Sequence, residues 1–348
     1  MRFLASTKIR LILLAGACAC VLGSAAAPVA ASTRIDDSKT NCVYSAHEIS
    51  ILDQFDRLVG QQIDCVMVYN NTSTTWEQWA HPWFVDYIDA PNLDWSRWAT
   101  APGTHRQLVI TQNLIPAELI GTPWLREGAA GEFTAHATEL AKDLVAAGLG
   151  SSIIRLSPED NGTWNTDSLG STPRQWHLWD EFWSKTVEAM KSVPGANFKF
   201  DWCIAALWRP LPLSEIYPGN NVVDIIGIDA YDNGNLGDTA AARWARVYNG
   251  PDGIAAVLAF AHAHGKPISI PEWGVSPRGT SEGFGDDPVF VKGIANVVHN
   301  NDVAYQSYFY KYGWAIQLHP GSKSLAAYRA AFTSGLHQAS DRHRKRSR

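Results

Sequence analysis

The segment IIRLSPEDNGTW, residues 153–164, decides how this chain folds. Its first five residues, Ile153 to Ser157, have the length and β-branched content of a buried strand, and Pro158 then removes the next ladder donor. The strand is expected to stop there, leaving Glu159 at its carboxyl end. KPISIPEWG, residues 266–274, repeats the device with an apolar run, Pro271 and Glu272. In a parallel barrel, the carboxyl ends of the strands form the active-site rim.

Working outward from these segments, eight apolar runs alternate with helical patterns. The expected strands are 42–45, 63–69, 107–113, 152–157, 198–205, 222–229, 267–272 and 303–310. Amphipathic stretches at Glu132–Ala147, Pro173–Lys191, Pro251–His264 and Pro288–His299 lie between them, with Gly148 and Gly265 as helix stops. Eight β/α units in one chain predict an α/β fold, a single-domain (β/α)8 TIM barrel. A doubly wound sheet calls for a glycine-rich phosphate loop after its first strand, and the sequence has none. Glu159 then closes the fourth strand and Glu272 the seventh, so the two carboxyls face each other across the barrel mouth.

The ends of the 348-residue chain read differently from its middle. Lys8 and Arg10 precede an apolar run from Leu11 to Leu22, the pattern of a secretory signal peptide over residues 1–31, cleaved near Ala31. The expected product is secreted, with a catalytic domain over 32–340. No other stretch reaches the roughly 20 unbroken apolar residues of a membrane span. Removing Arg2, Lys8 and Arg10 leaves 26 of the 29 Lys+Arg against 34 Asp+Glu, a net charge near −8 that argues against a nucleic-acid partner. The basic tail DRHRKRSR, 341–348, reads as a solvated disordered end or as a contact to an anionic wall or membrane.

Three cysteines remain once Cys18 and Cys20 leave with the leader. An odd count in an exported chain predicts one bridge and one buried thiol. Cys42 and Cys65 begin or lie within adjacent expected strands, which makes them the pair, and Cys203 is the expected thiol. No Cys/His spacing suits zinc, so neither a metal nor a cofactor is expected. Of fifteen tryptophans, Trp176, Trp179 and Trp183 stand at helical spacing and read as packing. Trp164, Trp208, Trp273 and Trp314 each follow a strand, where a flat ring either completes the core or stacks on a sugar.

Alternation places Arg155, Ser157 and Glu159 on one strand face, with Arg155 pointing into the barrel. A buried guanidinium needs a carboxylate partner, either Glu272 or another barrel acid such as Asp201 or Asp229. Pairing with Arg155 would hold Glu272 ionised, whereas Glu159, followed by Asp160, would tend to keep its proton. In the sixth strand Gly227, Asp229 and Tyr231 share the inward face. There Tyr231 would fix the rotamer of Glu272 and Asp229 would bind sugar hydroxyls, or both would cap the loop. Asn113 and Asn161 are further polar candidates. Two carboxyls with opposed protonation demands are the equipment of glycoside hydrolysis.

These residues also carry a family resemblance. RLSPEDNGTW resembles the R-P-x-H-E-x-N-G-x-W segment of glycoside hydrolase family 26, in clan A of the retaining glycosidases. TPRQWHLWDEFW and NFKFDWCIA are similar to the family's next helix and tryptophan-bearing strand. YPGNNVVDIIGIDAYDN resembles its sixth strand, and ISIPEWG its nucleophile strand. The resemblance implies Glu159 as acid/base and Glu272 as nucleophile, with Arg155, Trp164 and Tyr231 supporting the nucleophile or forming the sugar site. It implies an endo-acting enzyme on a β-linked polysaccharide, β-1,4-mannan first. One departure matters: Pro158 stands where the family usually has a histidine, which leaves β-xylan, β-glucan or a catalytically silent carbohydrate-binding barrel as alternatives.

Overall fold

A computed structural model of the chain describes residues 41–70, 73–232, 236–275, 285–310 and 318–333. The expected leader over 1–31, the tail 341–348 and Trp314 lie outside the described residues. Eight parallel strands close in sequence order into a barrel: β1 (Asn41–Tyr44), β2 (Cys65–Tyr69), β3 (Gln107–Gln112), β4 (Ile153–Leu156), β5 (Lys199–Ala205), β6 (Ile225–Asp232), β7 (Ile268–Val275) and β8 (Val303–Phe309). Each expected strand is found, with ends displaced by a few residues.

Around the barrel lie α1 (Ile49–Val59), α2 (Trp76–Ala80), α3 (Trp95–Ala99), α4 (Trp124–Ala130), α5 (Thr134–Ala146), α6 (Pro173–Lys191), α7 (Leu213–Ile216), α8 (Ala240–Asn249), α9 (Ile254–His264), α10 (Pro288–Asn300) and α11 (Lys323–Phe332). Among the described residues, no helix is long and apolar enough to cross a membrane. The longest helix, α6, starts where the sequence says it should. Thr172 and Gln175 form a reciprocal capping box and Pro173 takes the first position. Its buried face includes Trp176, Trp179 and Trp183, as their spacing predicts. Gly265 ends α9 in the left-handed conformation, at φ 63°. The expected helix over Glu132–Ala147 is found as α5, its ends displaced by one or two residues, and Gly131, left-handed at φ 91°, separates it from the preceding α4.

Strand alternation divides the core in two. Outward residues such as Ile154, Leu156, Trp202 and Ile270 pack under the helices. Inward residues such as Tyr44, Met67, Tyr69, Tyr305 and Phe309 fill the barrel together with the polar Arg155, Asp201 and Ser269. The filling is tight. A Cβ on Gly227 would lie 2.8 Å from both Asp201 Oδ1 and Ser269 Oγ, so β6 needs glycine there. Cys42 and Cys65 are register partners in β1 and β2 and are joined by a disulfide, while Cys203 is a buried free thiol.

Pro271 does not end its strand, contrary to the expectation drawn from its missing donor. β7 runs on to Val275, and the ladder to β8 shifts register between Ile270 and Trp273 instead. The bulge absorbs the proline, and the next amide, Glu272 N–H, donates to the Asp229 carboxylate at 2.9 Å rather than to a neighbouring strand. In β4 the proline works as expected, since the strand stops at Leu156.

Candidate active site

Glu272 enters the barrel mouth from the β7 bulge, 7 % exposed. Arg155 Nη1 lies 2.6 Å from its Oε1, and Tyr69 Oη donates to the same oxygen at 2.5 Å. Tyr231 Oη donates to Oε2 at 2.9 Å. Three donors on one carboxylate fix its rotamer. The other end of Arg155 contacts Asp229, so of the three acids left open by the sequence the guanidinium meets Glu272 and Asp229, while Asp201 accepts from Ser269 and Tyr305 instead. Asp229 in turn holds the Glu272 backbone amide, which makes it a support for Glu272.

Glu159 arrives differently. Strand alternation does not carry it, because β4 has already ended. The chain turns through left-handed residues at Ser157 (φ 52°) and Glu159 (φ 51°) on either side of buried Pro158. Such backbone is strained for residues with a Cβ and must be held from outside. Asn161 does this: its side chain donates to Ala205 O at 2.9 Å and accepts from Ala205 N–H at 2.8 Å, tying the loop to the end of β5. Asn165 Nδ2 donates to Pro158 O at 2.6 Å. Trp164 Nε1 donates to Glu159 Oε2 at 2.6 Å. Asn161 is thus a loop anchor, buried and bonded to backbone. Asn113, also buried, accepts from Trp79 Nε1 at its backbone carbonyl at 2.8 Å, and its side chain donates to Thr166 Oγ1 at 3.4 Å.

The two glutamates have unequal electrostatics. Oxygens of Glu159, Asp229 and Glu272 lie within 4.8 Å of one another, around a single guanidinium. One positive charge cannot balance three carboxylates, and only Asp229 and Glu272 contact it. Burial and then the charge of Glu272 push Glu159 up to about 7. Asp160 is not the cause, contrary to the sequence reading: it points away and accepts from Trp202 Nε1 in the outer layer. Burial also raises Asp229, with the Arg155 charge opposing it, and lifts the Tyr69 and Tyr231 hydroxyls well above the usual phenol range, so they remain donors.

The strand-end tryptophans separate. Trp164 and Trp208 are 48 % and 52 % exposed and stand edge to face, centroids 4.6 Å apart, beside Glu159. Trp273 is a correction. It is 0 % exposed, packs on Tyr308 and Tyr328 outside the barrel and donates to Gln306, so it cannot stack on a sugar. The reason is alternation: with Glu272 inward, its neighbour points outward. Tyr69 was missed by the sequence reading, although the run Cys65, Met67, Tyr69 in β2 marks it as inward. Among the described residues the exposed large hydrophobics are Tyr87, Ile88, Ile120, Trp164, Trp208 and Val289.

A (β/α)8 barrel with an unequal carboxyl pair on the β4 and β7 segments holds two groups of the kind that glycoside hydrolysis uses. The comparisons agree. Residues 134–271 match the family described as Glycosyl hydrolase family 26, a segment that holds Arg155, Glu159 and Tyr231 and ends one residue before Glu272. The resemblance seen in the sequence motifs therefore holds. Among solved structures, a Cellulomonas fimi endo-beta-1,4-mannanase is similar over 80 % of this chain at 19 % identity and a TM-score of 0.56; the match spans 65 % of that longer chain. Bacillus subtilis mannanase man26 is similar over 84 % of this chain and 85 % of its own, at 15 % identity and a TM-score of 0.57. GH26C from Muricauda sp. matches over 81 % and 80 %, at 14 % identity and a TM-score of 0.56. At these identities the likeness establishes the barrel fold. Comparison with proteins of curated function finds no match.

Proposed function

We propose that this chain is a secreted, retaining, endo-acting glycoside hydrolase of a β-linked polysaccharide, with β-1,4-mannan as first substrate. The observation that carries the reading is the unequal pair: Glu272 held by three donors, Arg155, Tyr69 and Tyr231, and Glu159 raised to about 7 with carboxylate oxygens of the two within 4.8 Å of each other. Retaining enzymes keep their carboxyls about 5–5.5 Å apart, whereas inverting enzymes leave room for a water between them at about 6.5–9.5 Å. Glu159 protonates the leaving oxygen as Glu272 attacks the anomeric carbon. Glu159, now ionised, then draws a proton from water that attacks the covalent intermediate, and both groups return to their starting states. Export is supported by the leader pattern and by the disulfide between Cys42 and Cys65. The choice of mannan rests on the mannanases that share the fold.

Pro158 favours a second reading on the substrate. It is buried directly before the acid and offers no hydrogen bond where the family's histidine would, so β-xylan or β-glucan stands behind mannan. Release of reducing ends from a panel of mannan, xylan and mixed-linkage glucan tests both. Cleavage of one polymer, abolished by Glu272→Ala, supports the enzyme. Binding without cleavage by wild type and Glu272→Ala alike would support a silent carbohydrate-binding barrel instead.

A further inference from the structure

Cys203 is fully buried on β5 and is the free thiol among the described residues. Alternation on β5 turns it inward together with Asp201, and its register partner on β6 is Gly227. A Cβ on Gly227 would lie 3.0 Å from that of Cys203. The glycine therefore leaves the thiol room to meet the next inward residue of β6, Asp229.

Cys203 Sγ lies 3.4 Å from Asp229 Oδ1, within the longer reach of a sulfur hydrogen bond. Burial pushes the thiol well above its ordinary range, so it keeps its proton and donates. A second acceptor, Ile204 O at 3.7 Å, is farther away and uncharged. The same sulfur lies 3.7 Å from Arg155 Nη2, so it accepts from the guanidinium while its proton goes to the carboxylate. Asp229 Oδ1 also accepts the Glu272 amide at 2.9 Å, and its Oδ2 meets Arg155. The backbone of Cys203 serves the other glutamate: its carbonyl accepts from the N–H of Asp160, next to Glu159, at 3.3 Å.

We infer that Cys203 is a positioning residue for the nucleophile: its thiol orients Asp229, and through Asp229 the bulged amide that aims Glu272. The inference rests on the hydrolase reading for the role of Glu272. Its physical basis is the last torsion of an aspartate, which is broad and fixes the carboxylate plane only weakly by itself. Arg155 holds the Oδ2 side from β4. Donors from β5 and β7 on Oδ1 then leave the carboxylate one orientation, and three strands fix the place of one amide. The β7 segment around Glu272 has lost its regular ladder to β8, so this amide is held by Asp229 in place of a neighbouring strand.

The test pairs Cys203→Ser, which keeps a donor, with Cys203→Ala, which removes it, in the full chain acting on the polysaccharide that wild type cleaves. The alanine variant should lose about five- to tenfold in kcat with KM within about twofold, because a hydrogen bond to a charged group is lost while the sugar contacts stay. The serine variant should recover most of that loss, yet melt no higher than the alanine variant, since it buries a more polar group. A packing role alone predicts that activity follows stability. Alanine as active as serine, or a change in KM alone, therefore overturns the assignment. The S–H stretching band in the infrared gives a readout without turnover, identified as the band that Cys203→Ser lacks. Donation to a carboxylate places this band below the frequency of an unbonded thiol, and a band at the unbonded position overturns the contact. The serine variant and this band decide the matter if the alanine variant does not fold. Failure of the hydrolase reading shows separately, as an inert wild type on the polysaccharide panel with the band still at its bonded position.

Discussion

Arg155 Nη1 lies 2.6 Å from Glu272 Oε1 inside the barrel, with Arg155 itself 0 % exposed. A permanent charge from β4 therefore stabilises a carboxylate on β7, and Asp229 on β6 closes the cluster. Arg155→Met should leave two buried carboxylates uncompensated, at a cost of about 3–5 kcal/mol. Arg155→Lys keeps the charge and loses the fork that meets both acids. Chemical denaturation combined with turnover checks this: the methionine variant should be strongly destabilised, and the lysine variant more stable than it yet poorly active.

Glu159 must carry a proton to act as an acid, and its pKa is raised to about 7. The acid form is present below that pH, so kcat/KM should fall as pH rises through about 7. Trp164 donates to the carboxylate and so favours its ionised form. Trp164→Phe should move the alkaline limb upward by about one unit, because hydrogen bonds to charged groups are worth about 1.5–3 kcal/mol and one unit is about 1.4 kcal/mol. A pH–rate profile of both chains measures it, and a downward shift would contradict the assignment.

Tyr69 and Tyr231 clamp opposite oxygens of Glu272 at 2.5 and 2.9 Å. Replacing either with phenylalanine removes one charge-assisted hydrogen bond and should lower kcat about 10- to 100-fold. Because both act on one carboxylate, the double variant should lose less than the product of the single losses. Steady-state kinetics of the three variants decide this.

Trp208 and Trp273 should respond oppositely to truncation. Trp273→Ala opens a cavity between barrel and helices and should cost about 3–5 kcal/mol of stability. Trp208→Ala should leave the melting temperature within a few degrees and raise KM for polymer. Thermal unfolding and polymer kinetics on the pair separate core from site.

The barrel was legible because eight strands buried on both faces read as apolar runs, and counting them put Glu159 just after the fourth strand and Glu272 on the seventh. Inward alternation also gave Arg155, Asp229 and Tyr231. Trp273 stayed open between core and sugar because a strand expected to end at Glu272 leaves it in a loop, and a bulge that absorbs a proline leaves no mark in the sequence. The left-handed turns at Ser157 and Glu159 were equally silent, since a non-glycine residue adopts them only when Asn161 and Asn165 hold the loop from a distance. Tyr69 was in plain view by alternation, yet its role depends on Glu272 lying 203 positions away, a contact only the closed barrel creates.

The most direct test of the account is the anomeric configuration of the first product, followed by proton NMR during hydrolysis of whichever β-linked polysaccharide the chain cleaves. Attack by Glu272 followed by water guided by Glu159 predicts that the β-anomer appears first and only later mutarotates. Initial appearance of the α-anomer would mean a single displacement by water and would contradict the nucleophile assigned to Glu272.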